Sequence, residues 1–170
     1  MQYYPATYYL PHEEPMVMLE KVHLIDDEQC ICSVQVNKNG ILAPFLNEDN
    51  ALPNLYAVEL MAQTIGVWNG YHGIINNKKP QLGMLLGGRT IKTSLPTFPH
   101  ESDLIIQANL VLFDSKLAIF DCQIKINEQC VVSGKLNVYE PDQTEIDYLF
   151  GQNRLGEEKN ETNNSGNWRQ

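Results

Sequence analysis

The sequence predicts an α+β fold, an antiparallel sheet wrapped around one long helix. Three observations carry that expectation. Residues 53–68, from Pro53 to Trp68, are apolar at almost every position, as in a helix buried on most sides. Runs with the two-residue alternation of strands lie both before and after it. The later runs are separated by short polar turns that send the chain back antiparallel.

The elements follow in order. Residues 1–9 are rich in tyrosine and hold Pro5, which reads as an arm or a short docking segment. Leu10-Pro11-His12-Glu13-Glu14-Pro15 is turn-rich, and a short apolar run spans Met16 to Leu19. Val22–Ile25 and Cys30–Val36 are strand-like, joined through a turn at Asp26-Asp27-Glu28. Asn37-Lys38-Asn39-Gly40 closes the second strand, and a loop rich in Asn, Asp and Pro covers 43–53. The helix is expected near 54–70, with Asn54 as its N-cap and Gly70 or Gly73 ending it. Strands are then expected near Gly83–Leu95, Asp103–Asp114, Ser115–Asn127 and Gln129–Tyr139. Residues 1–150 read as one domain. Residues 151–170 collapse into Asn, Glu, Gly and Ser and read as a disordered tail, so the sequons at Asn160 and Asn163 carry no weight there.

Composition excludes several function classes. The chain of 170 residues carries a formal charge of -9, which argues against nucleic acid or an anionic membrane as partner. Any acidic carrier protein would need a local basic patch, and Lys78, Lys79, Arg89 and Lys92 are the dense supply. Cys30, Cys32, Cys122 and Cys130 form no CxxC pair and stand at no zinc spacing, so all four read as reduced, buried small hydrophobes. The start, Met1-Gln2-Tyr3-Tyr4-Pro5, has no signal-peptide pattern and no apolar run has membrane-span length; a cytoplasmic location is expected. Leu86-Gly87-Gly88-Arg89 lacks the Lys-Ser/Thr of a phosphate loop, Asp26-Asp27-Glu28 lacks calcium-loop spacing, and Ser115 and Ser133 sit in no nucleophile elbow. Trp68 and Tyr71 read as core or interface anchors.

Glu59 breaks the helix's apolar pattern. A lone carboxylate among hydrocarbon costs several kcal/mol unless it is paired, hydrogen-bonded or protonated. Gln63 lies one turn later and Tyr56 nearly one turn earlier on the same face, so the helix carries a polar stripe. Such a stripe marks either a site cut into the core or a structural carboxylate.

Leu10-Pro11-His12-x-x-Pro15-Met16-x-Met18-Leu19-Glu20-x-Val22 resembles the opening of 3-hydroxyacyl-ACP dehydratases of the FabA/FabZ type. Pro53-x-x-x-x-x-Glu59-Leu60-Met61-Ala62-Gln63 is similar to the central helix of that family, and Pro99-His100-Glu101-Ser102-Asp103-Leu104 lies where it has a Pro-Gly-Asp-x-Leu loop. Leu82-Gly83-x-Leu85-Leu86-Gly87-x-Arg89, Phe120-Asp121-Cys122 and Leu136-Asn137-Val138-Tyr139-x-Pro141 resemble the aryl-polyene branch, the ApeP type. The likeness covers residues 8–141.

The resemblance implies a hot-dog fold, a homodimer or heterodimer, and loss of water from a 3-hydroxyacyl-ACP or 3-hydroxyacyl-CoA thioester to give a trans-2-enoyl thioester in fatty-acid or aryl-polyene-type biosynthesis. It implies no metal and no cofactor. Glu59 would be the acid, Gln63 its positioner, and Pro53, Asn54 and Leu55 the substrate-binding helix entrance, with the N–H groups of Asn54 and Leu55 facing the thioester oxygen. In the family the base is a histidine fourteen residues before the acid, from the other subunit; here Phe45 holds that position. The family's glycine after the proline is Asn54. Three readings stay open: a dehydratase with His12, His72 or His100 as base, a hot-dog thioesterase using Glu59, or an inactive subunit that stabilises an active relative.

Overall fold

The computed structural model describes residues 2–79, 83–149 and 151. It forms two compact units, Met1–Glu140 and Pro141–Gln170. The expectation of a disordered tail falls, beyond Gly151, outside the described residues.

The first unit builds a six-stranded antiparallel sheet and one long helix. The strands are β1 (Lys21–Ile25), β2 (Gln29–Gln35), β4 (Met84–Thr93), β6 (Asp103–Asp114), β7 (Leu117–Ile126) and β8 (Gln129–Tyr139), in the spatial order β1-β2-β6-β7-β8-β4. Alternation sets the buried face: Cys30, Cys32 and Val34 from β2, Leu104, Ile106 and Ala108 from β6, and Phe120, Cys122 and Ile124 from β7 all point inward. The helix α1 (Ala57–Ile75) lies on that face against β2, β6 and β7, burying Leu60, Met61, Thr64, Val67 and Trp68. Turn chemistry fixes the registers. Asn127 and Glu128 both have positive φ and join Ile126 to Gln129 in a two-residue hairpin, while Ser115 has φ 56° in the turn between Asp114 and Leu117. β7 therefore begins two residues later than the sequence predicts. A further pair, β3 (Leu52–Pro53) with β5 (Thr97–Phe98), ties the helix entrance to the strand region and had no signal in the alternation pattern.

The helix differs from its expected bounds at both ends. Asn54 is not its N-cap: Asn54–Tyr56 form a 3₁₀ turn that leads into α1, whose N-cap position is Tyr56, and the Asn54 side-chain N–H donates to Leu95 O (2.9 Å). Gly70 does not end it either. A Cβ there would collide with the Tyr9 carbonyl, so this glycine admits the backbone of the N-terminal arm against the helix. The helix continues to Ile75 and stops at a Schellman motif. Asn77 adopts φ 58°, Lys78 N–H donates to Gly73 O (2.8 Å), and Asn77 N–H donates to Ile74 O (3.0 Å). The tyrosine-rich arm is docked: Ala6 and Tyr9 are buried, Tyr3 donates to Ile25 O (3.1 Å), and the Tyr3 and Tyr9 rings both meet Tyr71 edge-on. Cys30, Cys32 and Cys122 are buried, but Cys130, near the start of β8, is exposed, contrary to expectation.

The second unit opens with a capping box. Asp142 N–H donates to Glu145 Oε2 (2.8 Å), and Glu145 N–H donates to Asp142 Oδ1 (2.9 Å), at the start of a helical stretch from residue 143. The Asp-x-x-Glu spacing was the readable sign of it. Among the described residues no helix is long and apolar enough to cross a membrane.

Candidate active site

Gln63 organises the site. It is 2% exposed, and its carboxamide is almost fully used. Oε1 accepts from Met18 N–H (2.8 Å), and Nε2 donates both to Met16 O (2.7 Å) and to Glu59 Oε1 (2.7 Å). The apolar run at Met16–Leu19 thus hydrogen-bonds through its backbone to a side chain of the helix, with Val17, Met18 and Leu19 buried. Because Met18 offers a donor and Met16 an acceptor, the amide has one permitted orientation. Its second N–H is then committed to Glu59 Oε1, which must accept.

Glu59 is half-buried, not sealed as the apolar sequence around it suggests. The reason is local: the helix face bearing Glu59, Ala62, Gly66 and Asn69 borders a cavity of about 160 Å³ that lies between it and strand residues. Those residues run along about 15 Å of helix. The opposing wall is apolar, with Leu85, Phe113, Ala118, Phe120 and Val138, and Lys116, Tyr139 and Glu140 also line the cavity. Trp68 stands edge-on to Phe113 (6.2 Å) and Phe120 (5.3 Å), while its Nε1 donates to Asp26 O (2.9 Å). The small residues at three- and four-residue spacing from Glu59 were a readable sign of this face; the strand residues opposite were not.

The structure brings Glu59, Gln63 and His12 to one cavity. Pro53, Asn54, Leu55 and Phe45 are not part of its lining; they lie at the helix entrance. Phe45 ends a 3₁₀ turn (Ala43–Phe45) and packs on Tyr56 with ring centroids 5.3 Å apart. Asn54 N–H is spent on Pro96 O (3.1 Å), and Pro53 pairs with Thr97. Leu55, 68% exposed, has an N–H without a backbone partner among the described residues. His72 sits near the far end of α1, with Nδ1 2.9 Å from Trp68 O and Nε2 3.4 Å from Asp27 Oδ1, which matches a helix-end role. His100 lies in the turn before β6, away from the cavity lining.

The arrangement offers one carboxyl group with a fixed hydrogen-bonding partner, a second oxygen without a partner among the described residues, and an apolar channel beside it. That suits proton delivery to a ligand whose hydrocarbon part fills the channel.

Comparisons with known proteins agree with this chemistry. The model of the ApeP-like family, described as ApeP dehydratase, matches residues 4–149. The 3-hydroxyacyl-[acyl-carrier-protein] dehydratase FabZ of Psychrobacter arcticus is 23% identical over 146 residues, covering 84% of this chain and 99% of that protein. A chain of the dehydratase heterocomplex ApeI:P from Xenorhabdus doucetiae is 45% identical, with a TM-score of 0.83, covering 88% of this chain and 99% of that one. A hypothetical thioesterase with coenzyme A from Streptococcus pneumoniae, 17% identical and with a TM-score of 0.56 over 72% of this chain and 89% of that one, shares the fold. The sheet wrapped on its helix is thus a hot-dog fold, and the chain belongs to the ApeP-like dehydratase family.

Proposed function

We propose that this chain is the acid-bearing subunit of a two-subunit 3-hydroxyacyl-ACP dehydratase, with Glu59 as the proton donor. The Gln63–Glu59 hydrogen bond at the cavity wall is the observation that carries this reading. The 3-hydroxyacyl thioester enters at the start of the helix, where the Leu55 N–H meets the thioester oxygen as charge builds on it. Its acyl chain runs into the cavity. A base removes a proton from C2, the electron pair forms the C2–C3 double bond, and the C3–O bond breaks as Glu59 Oε2 passes its proton to the departing oxygen. Water and a trans-2-enoyl thioester result.

The base comes from a partner. Phe45 stands at the family's histidine position and cannot take a proton. Two copies of this chain would hold two acids and no histidine there; pairing with a histidine-bearing hot-dog subunit assembles one complete site. The open outer edge of β4 supports such pairing, since it carries exposed Met84, Leu85, Leu86 and Ile91 beside exposed Arg89 and Lys92. The heterocomplex to which the 45%-identical chain belongs supports it as well. Trp68, Phe113 and Phe120 favour an aryl or polyenoyl acyl chain, by ring-to-ring contact with a flat, conjugated ligand.

The test is turnover of a 3-hydroxyacyl thioester by the chain alone and by the chain co-purified with a related histidine-bearing subunit. The enoyl product should form in the second case and not the first. Release of free thiol instead would favour a thioesterase. A complex equally active after Glu59→Gln would reduce the chain to a stabilising subunit.

A further inference from the structure

His12 lines the same cavity as Glu59, and its Nδ1 is buried without a hydrogen-bond partner among the described residues. A neutral imidazole has one N–H and one lone pair. Burying an unpaired N–H is the rarer and more costly of the two arrangements, so the sealed Nδ1 carries the lone pair and Nε2 carries the hydrogen. His12 therefore presents a neutral N–H at Nε2, the nitrogen left to meet a ligand. The walls of the cavity are largely apolar; Asn69, Lys116, Tyr139 and Glu140 also line it, and on the helix side it meets the Glu59 carboxyl.

We propose that His12 donates a hydrogen bond from Nε2 to the 3-hydroxyl oxygen of the substrate, the same oxygen that Glu59 protonates. This rests on Glu59 being the acid. As the C3–O bond breaks, electron density collects on that oxygen; a fixed neutral donor stabilises it and gives up no proton, so the balance of the elimination is unchanged. The donor also selects for substrates bearing the 3-hydroxyl, because a ligand without it leaves the N–H unpaired.

Steady-state kinetics of the complex on 3-hydroxyoctanoyl-pantetheine, with octanoyl-pantetheine as competitive inhibitor, test this. His12→Leu should lower kcat about tenfold, the effect of one lost hydrogen bond in the transition state, and leave inhibition by octanoyl-pantetheine no weaker, since that ligand offers the N–H no partner. His12→Gln, whose amide nitrogen reaches the place of Nε2, should recover most of the rate; His12→Asn, which mimics Nδ1, should not. An unchanged kcat for His12→Leu, a parallel loss of inhibitor binding, or a His12→Gln protein as slow as His12→Leu would overturn the assignment. Glu59→Gln is measured alongside. If it keeps full turnover, the acid reading fails; if it loses turnover while His12→Leu does not, the role of His12 alone falls.

Discussion

Gln63 Nε2 lies 2.7 Å from Glu59 Oε1, and the same carboxamide bridges the backbone of Met16 and Met18. One side chain thus locks the opening segment to the helix and holds the Glu59 carboxyl group in place. Gln63→Ala would leave a buried N–H and C=O without partners and free the carboxyl group to rotate. A stability loss of about 2–4 kcal/mol is expected in urea unfolding. Glu59→Ala, which leaves the backbone bonds of Gln63 intact, should cost much less. Equal losses for the two would show that the bridge to Met16 and Met18 does not hold the segment.

Gly70 and Gly73 make opposite predictions from one substitution. Alanine gains about 1 kcal/mol of helix propensity over glycine. At Gly73 the nearest atoms to an added Cβ are at 3.7 Å, ordinary contact, so Gly73→Ala should raise the melting temperature. At Gly70 the Tyr9 carbonyl occupies the space, so Gly70→Ala should lower it, by about 1–3 kcal/mol of overpacking strain. A stabilised Gly70→Ala protein would mean that the tyrosine-rich arm does not lie against the helix.

These glycines also show what was legible in the chain. The bounds of β6 and β8 matched expectation because alternation is local and turn residues end it. Glu59 and Gln63 were legible as a pair because four-residue spacing places them on one face. The link from Gln63 to Met18 joins residues 45 apart in sequence and leaves no periodic trace. The same holds for Gly70, which looks like a helix stop until Tyr9 is placed, and for Asn54, whose side-chain N–H donates to the distant Leu95 O. His12 stood in a recognisable motif, but its place in the cavity depends on tertiary packing.

Asp26 gives a pH signature. Its Oδ1 accepts from the backbone N–H groups of Glu28 (2.9 Å) and Gln29 (2.8 Å), and these bonds, that of Glu28 first, hold its carboxyl below the ordinary value of 3.8. A depressed carboxylate contributes stability that is present above its unfolded pKa and is lost as pH falls through the folded one. Wild type should therefore exceed Asp26→Ala in stability at neutral pH, with the gap closing only below the unfolded value. A gap that stays constant down through that range would assign the effect to packing.

The cysteines should differ sharply in reactivity. Burial pushes the Cys122 thiol up to about 12, and Cys30 is raised well above its ordinary range by its hydrogen bond to Cys32, 3.7 Å away, and by burial. Cys130 is exposed. Iodoacetamide at pH 8 on the native protein should label Cys130 and spare the other three, read by mass spectrometry of the digested chain. Early labelling at Cys122 would contradict the packing of β7 against the helix.

The central claim is that Glu59 delivers the proton that carries water away. Its most direct measurement is the rate of enoyl formation from a 3-hydroxyacyl thioester by the two-subunit complex, with wild-type chain and with Glu59→Gln. The change keeps size and the hydrogen-bonding partner Gln63 but removes the transferable proton, so the rate should fall by about 10²–10⁴-fold with the complex intact. An unaltered rate in an intact complex would contradict the claim.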